Sequence, residues 1–312
     1  MAIVKLHADE VPPEAAARLN QATLLGSVGF ASLWQTCSGR PVCWVSEQQG
    51  DIGAVLAGLE FGPGWLTTLQ TMPDGLYSRA IVLDCEIDIQ KLASELLAGI
   101  ASAGYARVFI NDYYRLFHPG GAWKAVDSHT VLVDIGSGGW VPPDKKVQSE
   151  IRKAEREGLT IQRFEESKHM GPFLQLMKHT ERRHGRSPKY PEAFFRALAR
   201  LAESDPRIRW LIVEHEGKAA ASHIYFVEGS LLLNWQVYFD KGFSFLKPNQ
   251  YMTWCAATEA ASQGVRYLNM GASPPDADSL KSYKLKWGGR DFTYPVYQRT
   301  SVRGRLIGGL RR

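Results

Sequence analysis

The sequence predicts a mixed α/β (α+β) protein of two related lobes, each a mixed, mainly antiparallel sheet flanked by helices. Three observations carry that expectation. Apolar residues alternate with a period of two in short runs and recur at helical spacing in longer ones, so strands and helices interleave along the chain. Three strand-like runs, Arg209 to Glu214, Ala219 to Glu228 and Leu231 to Phe239, follow one another across Glu216-Gly217 and Glu228-Gly229-Ser230, the spacing of an antiparallel meander. One unit also recurs: Ile89 to Ile110 reads as helix, Gly104, strand, and Tyr251 to Met270 as helix, Gly264, strand.

The elements follow in order. Pro12 to Leu25 and Ser27 to Trp34 carry short helical patterns, and Val42 to Ser46 and Ile52 to Leu59 read as paired strands around the turn Gln48 to Asp51. Ile89, Leu92, Leu96, Leu97 and Ile100 form the stripe of a helix that Gly104 ends, and Ala106 to Ile110 follows as a strand. The glycine and proline cluster Gly136 to Pro143 marks a linker, dividing the chain into lobes of residues 1–140 and 141–312. Beyond it come a helix from Lys146 to Glu157 closed by Gly158, a strand from Leu159 to Phe164, and helices at Gly171 to His184 and Pro191 to Ala202. After the meander, Tyr251 to Ser262 is helical and Val265 to Met270 a strand.

With 312 residues, 45% of them hydrophobic and 11% aromatic, the chain can fill more than one core and is unlike a disordered or fibrous sequence. The first ten residues turn acidic before any apolar run of signal-peptide length, and no window approaches a membrane-spanning stretch, so a cytoplasmic protein with no transmembrane segment is expected. Cys37, Cys43, Cys85 and Cys255 fall at unrelated spacings without a C-x-x-C pair, which predicts reduced thiols and no structural zinc. His179 and His184 stand five apart, the wrong step for two metal ligands on one helix face. Net charge is +5, unevenly spread: residues 1–140 hold 8 Lys/Arg against 14 Asp/Glu, and residues 141–312 hold 29 against 18. The basic second half suits an anionic ligand, while the mixing of acids among its bases and the lack of a DNA-reading motif argue against DNA.

Four segments of that half, in order, resemble the FemAB-like acyltransferases of the GNAT superfamily, which include peptidoglycan bridge aminoacyltransferases. Ser149 to Leu159 (SEIRKAEREGL) resembles the helix opening the family's second lobe, and Phe245 to Trp254 (FLKPNQYMTW) its entry into a long helix. Gly264 to Gly271 (GVRYLNMG) resembles its strand ending in an aspartate or asparagine and a glycine, and Tyr283 to Gly288 (YKLKWG) its aromatic-Lys-x-x-aromatic-Gly close. The resemblance covers residues 147–298 well and the first 140 weakly. It implies two GNAT-like lobes and amide-bond formation between an activated acyl donor, aminoacyl-tRNA or acyl-CoA, and an amine of a cell-wall precursor, polysaccharide sugar or small molecule. No cofactor is held permanently; the donor is a co-substrate, with charged tRNA as a partner where it is the aminoacyl ester. The chain departs from larger members in having no coiled-coil arm. Lys241 to Phe245 stands where ordinary GNAT enzymes carry the Q/R-x-x-G-x-G/A pyrophosphate loop and does not match it.

Aminolysis of an ester or thioester needs juxtaposed reactants, an unprotonated amine and help for the oxyanion, with no obligatory covalent nucleophile. Lys284 is the first candidate to neutralise a phosphate or an incipient oxyanion, with Tyr283 and Trp287 fixing its stem. Arg152 and Lys153, in a basic run with Lys145 and Lys146, are candidates for a phosphate clamp. His223 and Tyr225 share one face of a strand, and Asn234, Gln236 and Tyr238 are placed on one face of the next, as a polar wall in which His223 serves as a base and Tyr238 is catalytic. Arg183 and Tyr190 frame a basic loop able to close over an anion. Asn249 is placed at a helix N-cap. The alternative is a non-catalytic GNAT-like module that binds an anionic glycan or nucleotide.

Overall fold

Strand pairing in each half of the molecule centres on one parallel pair set within an otherwise antiparallel sheet. The structure, a computed structural model, describes residues 2–48, 50–84, 86–136, 139–273 and 277–309. Contacts divide the chain into two compact units: Met1–Ser128 with Thr293–Arg312, and His129–Phe292. The glycine and proline stretch at 136–143 lies within the second unit.

In the first unit, β1 (Ala2–His7), β2 (Arg40–Gln48), β3 (Asp51–Phe61) and β4 (Thr68–Gln70) pair antiparallel in that order, with β5 (Ile81–Val82) also on β3. β6 (Arg107–Asn111) then joins β4 in parallel. The reversal of direction needs a crossover helix. It is α3 (Ile89–Ser102), preceded in the chain by α1 (Pro13–Ala22) and α2 (Val28–Ser32). The Asp88 carboxylate caps α3 by accepting the N–H groups of Gln90 and Lys91. Leu92, Leu96, Leu97 and Ile100 turn inward, and Gly104 at φ +75° ends the helix in a conformation that penalises other residues. β2 is covered on both sides: Val42 and Trp44 enter the core beneath α3, Cys43 and Val45 the core beneath α1. A doubly covered strand reads as a continuous apolar run, as this one does.

The second unit has strand order β7-β12-β11-β10-β9-β8. β7 (Lys124–Asp134) enters from the first unit; α4 (Lys145–Arg156), β8 (Thr160–Arg163), α5 (Glu166–Arg183) and α6 (Glu192–Ser204) follow. The meander is β9 (Ile208–His215), β10 (Lys218–Glu228) and β11 (Leu231–Phe239). α7 (Pro248–Ser262) crosses over to β12 (Tyr267–Ser273), which pairs with β11 in parallel and with β7 antiparallel. α8 (Asp278–Leu285) precedes β13 (Arg290–Thr300), whose Val296–Thr300 stretch lies beside β6 in the first unit, and α9 (Val302–Gly309) ends the described chain. Gly264, at φ +85°, closes α7 as Gly104 closes α3. The recurrent helix–glycine–strand unit is therefore the same parallel crossover made twice. Buried Ala256, Ala257 and Ala260 give α7 a smooth face that approaches the sheet closely.

Five strands escaped the pattern reading, among them β4 and β5, which are only three and two residues long. β1 and the outer part of β7 are largely exposed, and β13 mixes charged, aromatic and half-buried residues, so none shows a clean alternation. α5 begins five residues before Gly171, with the N–H of Glu165 donating to Nδ1 of His169 (2.8 Å) to brace its first turn. Cys37, Cys43 and Cys255 are free thiols, and Cys85 lies outside the described residues.

Candidate active site

The side chains proposed from sequence divide between the two faces of the second unit's sheet, and a bulge decides which goes where. Tyr225 lies opposite Asn234 and Ile224 opposite Gln236, so Trp235 is an extra residue in β11. Opposed residues share a face, and the bulge breaks the period of two. Asn234 therefore joins His223 and Tyr225 on the α7 side, whereas Gln236 and Tyr238 lie on the α5–α6 side with Ile224 and Ser222. The continuous polar wall expected from strict alternation is not formed.

On the α7 side, the parallel pairing of β11 with β12 stops at Leu233 and Asn269. Beyond it Asn269 Oδ1 accepts the N–H of Gly271 (2.9 Å) and the hydroxyl of Thr130. Gly271 is at φ +78°, and a Cβ there would stand 2.7 Å from the carbonyl oxygen of Asn234. No other residue fits that bend. Lys284, from α8, is buried and reaches the bend: its Nζ donates to the carbonyls of Gly271 (2.7 Å) and Ala272 (3.0 Å) and to Oγ of Ser273 (2.9 Å). All three partners are neutral oxygens, and burial lowers the Lys284 pKa to about 8.

The rest of the YKLKWG stretch holds this lysine in place. Trp287 is fully buried and stacks on Trp140 (6.3 Å), while Gly288, at φ +82°, lets Pro143 come against the backbone. Tyr283 meets Trp287 edge-on at 6.4 Å. Both aromatics are packing residues, which leaves Lys284 as the buried polar member of the motif, since Lys286 is exposed. Buried Asn234 has an Oδ1 with no hydrogen-bond partner among the described residues.

His223 is 1% exposed. Its Nε2 lies 3.0 Å from Oδ1 of Asn249 and its Nδ1 2.7 Å from the hydroxyl of Tyr225. An amide oxygen only accepts, so Nε2 carries the proton and Nδ1 accepts from Tyr225. Burial pushes the His223 pKa down to about 4, with the Asn249 contact opposing. A neutral, sealed imidazole ties α7 to β10 and has no free lone pair for an incoming amine, which corrects its expected part as a base. Asn249 is corrected with it: Lys247, at φ +62°, occupies the N-cap of α7, and the Asn249 side chain serves His223 instead.

Tyr238 is buried among aromatic rings, 5.4 Å from Phe173, and its pKa is raised first by burial and then by nearby Glu181. Tyr190 is buried as well, stacked on Phe194 at 4.4 Å. Arg183 lies over the Phe239 ring at 4.2 Å. Arg152 is exposed on α4; Lys153 sits 5.9 Å from the centre of the exposed Phe245 ring. Lys284, Asn234, His223, Asn249, Tyr283 and Trp287 thus share the α7–α8 side, apart from Tyr238, Gln236 and Tyr190. Sequence reading missed Thr130, Ser273 and Glu150. Glu150 bridges Lys247 (3.2 Å) and Gln250 (3.1 Å) at the first turn of α7. Only Gly271, closing the Asn-x-Gly sequence, signalled that β12 bends here.

A meander, a crossover helix and a parallel strand that parts from its neighbour at a glycine match a known fold. Residues 144–285 fit the family described as acetyltransferase (GNAT) domain. The chain carries a GNAT-type acyltransferase domain. Its structure is similar to that of FemX (12% identity, 99% of this chain and 100% of that one, TM-score 0.71). It is similar to the C-terminal domain of a putative lysylphosphatidylglycerol synthetase from Agrobacterium fabrum (13% identity, 94% of each chain, TM-score 0.63). It is also similar to a tandem GNAT protein from the clavulanic acid biosynthesis pathway (12% identity, 96% of this chain and 98% of that one, TM-score 0.53). No curated protein matches it in sequence. GNAT domains generally take an acyl-CoA as co-substrate. Among the acyltransferase's described residues, no helix is long and apolar enough to cross a membrane.

Proposed function

We propose that this acyltransferase joins an activated acyl or aminoacyl group to an amine, forming an amide on a cell-wall precursor, a polysaccharide sugar or a small molecule. The observation that carries the reading is the buried Lys284 ammonium at the point where β11 and β12 part. Attack of an amine on an ester or thioester builds negative charge on the carbonyl oxygen, and a fixed cation in a water-poor site stabilises that charge far more than it would in water. Two Lys284 protons are held by strand carbonyls; the third, on Ser273 Oγ, is the one that turns to the oxyanion. Collapse of the adduct expels the ester oxygen or thiolate, which takes up the proton the amine gives up and departs as the hydroxyl or thiol, and leaves the amide. Asn234, with its open Oδ1, accepts an N–H of the bound substrate.

The likeness to FemX and the FemAB-like motifs favour an aminoacyl ester carried by tRNA over acyl-CoA. The cytoplasm, where charged tRNA is found, is the compartment this reading requires. Incubation with radiolabelled aminoacyl-tRNA or acetyl-CoA and an amine-bearing peptidoglycan precursor tests it. Label should pass to the precursor from the tRNA ester; transfer from acetyl-CoA alone reverses the donor assignment, and no transfer from either removes the reading.

A further inference from the structure

We propose that the first unit carries a ligand site of its own, a surface cavity of about 900 Å³ between α1, the β2–β3 hairpin and the start of α3, built for an extended organic polycation. The volume falls in the range of small-molecule sites, about 300–1,000 Å³. The inference concerns none of the residues used for acyl transfer and stands independently of that reading.

Charge gives the ligand's sign. Glu14, Asp51 and Glu86 line the cavity and make no ion pair or side-chain hydrogen bond among the described residues. The other two acids of the wall are engaged by backbone: Asp84 accepts the N–H of Glu86 (3.1 Å) and Asp88 that of Gln90 (2.8 Å). Of the two bases, Arg18 donates to the carbonyl of Leu83, and Lys91 stands at the rim. Three unpaired carboxylates around one hollow attract a cation. Among the described residues no three His, Cys, Asp or Glu side chains lie close enough to hold a metal ion. Carboxylates spread along a cavity suit ammonium groups spaced along a chain rather than a point charge.

A second observation lies at the cavity's inner surface. Ser46 is 1% exposed, lines the cavity, and its Oγ has no hydrogen-bond partner among the described residues. A buried hydroxyl without a partner is costly, and an N–H of a bound amine supplies what it lacks. The walls are preformed. The N–H groups of Leu83 and Asp84 both donate to the Gly53 carbonyl (2.7 and 3.0 Å), and a Cβ on Gly53 would strike Ile87 at 2.4 Å, so this glycine lets Leu83, Asp84 and Ile87 come against the hairpin.

Calorimetric titration of the full chain with spermidine tests the site, with 1,8-octanediol as an uncharged control. The chain's net charge of +5 opposes non-specific attraction of a polycation, so saturable one-to-one binding reports a local site. D51N/E86Q should weaken spermidine binding about tenfold, the effect of removing two exposed ion pairs. Ser46→Ala should weaken it measurably at an equal or higher Tm, and Lys284→Met should leave it unaltered. Absence of saturable spermidine binding overturns the proposal. So does equal affinity in D51N/E86Q or in Ser46→Ala, or equal binding of the diol.

Discussion

Lys284 Nζ donates to the carbonyl oxygen of Gly271 at 2.7 Å, which couples the motif lysine of α8 to the glycine that bends β12. Each residue explains the other. The bend turns two consecutive carbonyls toward one point, and the ammonium satisfies both.

Lys284→Met should abolish acyl transfer while the protein still folds. The thioether matches the lysine stem but leaves the Gly271 and Ala272 carbonyls without their donor, a cost of about 1–3 kcal/mol. Loss of an oxyanion donor lowers kcat by about 10²–10³. Steady-state kinetics and urea melts separate the two effects; a variant of normal kcat would remove Lys284 from the chemistry.

The same lysine predicts a pH signature. Its folded pKa, about 8, lies below its unfolded value, so between about pH 8 and 10.5 the unfolded chain binds the extra proton. Stability then rises with pH across that window relative to Lys284→Met, by at most about 3 kcal/mol. Paired urea titrations at pH 7.5 and 10 measure the difference, and parallel behaviour of the two proteins would contradict it.

For His223 the window is acidic. Its folded pKa of about 4 lies below the ordinary 6.5, so the unfolded state takes up the proton first as pH falls between those values. Stability is lost over that interval, and His223→Gln should flatten the loss. Above pH 6.5 the activity profile of His223→Gln should keep the wild-type shape, since the imidazole is not the base. A lost acidic limb in the variant's kcat/KM profile would restore His223 to catalysis.

Gly271→Ala should be more damaging than its size suggests. A methyl group at φ +78°, placed 2.7 Å from the Asn234 oxygen, forces β12 away from β11. We expect a loss of about 1–3 kcal/mol, together with a fall in kcat because the carbonyl that holds Lys284 moves. A Gly271→Ala protein of wild-type Tm and rate would show that the bend is not required.

Tyr238→Phe should keep the rate within about twofold, since its ring packs under α5 on the far side of the sheet from Lys284 and the change removes one hydroxyl from a packed cluster. A large drop in kcat would place the acceptor on that side.

Much of this architecture was legible in local patterns. The helix–glycine–strand repeat appears because Gly104 and Gly264 must both adopt positive φ, a demand that leaves glycine in the sequence. The YKLKWG stretch was legible because its two lysines stand between two aromatics and a closing glycine. The division of the site residues was not. Asn234, Gln236 and Tyr238 read as one face until an extra residue, Trp235, shifts the register, and nothing local to β11 announces that shift.

By itself, the sequence determined the elements, the repeated crossover and the identity of the lysine, since these depend on backbone preferences and on spacing within one segment. Only the tertiary structure decided which side chains meet. Ser273, Gly271 and Lys284 converge across a bend and a helix, and His223 loses its basicity to burial while its ring is held by Asn249, twenty-six residues away. The physical reason is that burial and hydrogen-bond partners set a side chain's chemistry, and both are supplied by segments distant along the chain.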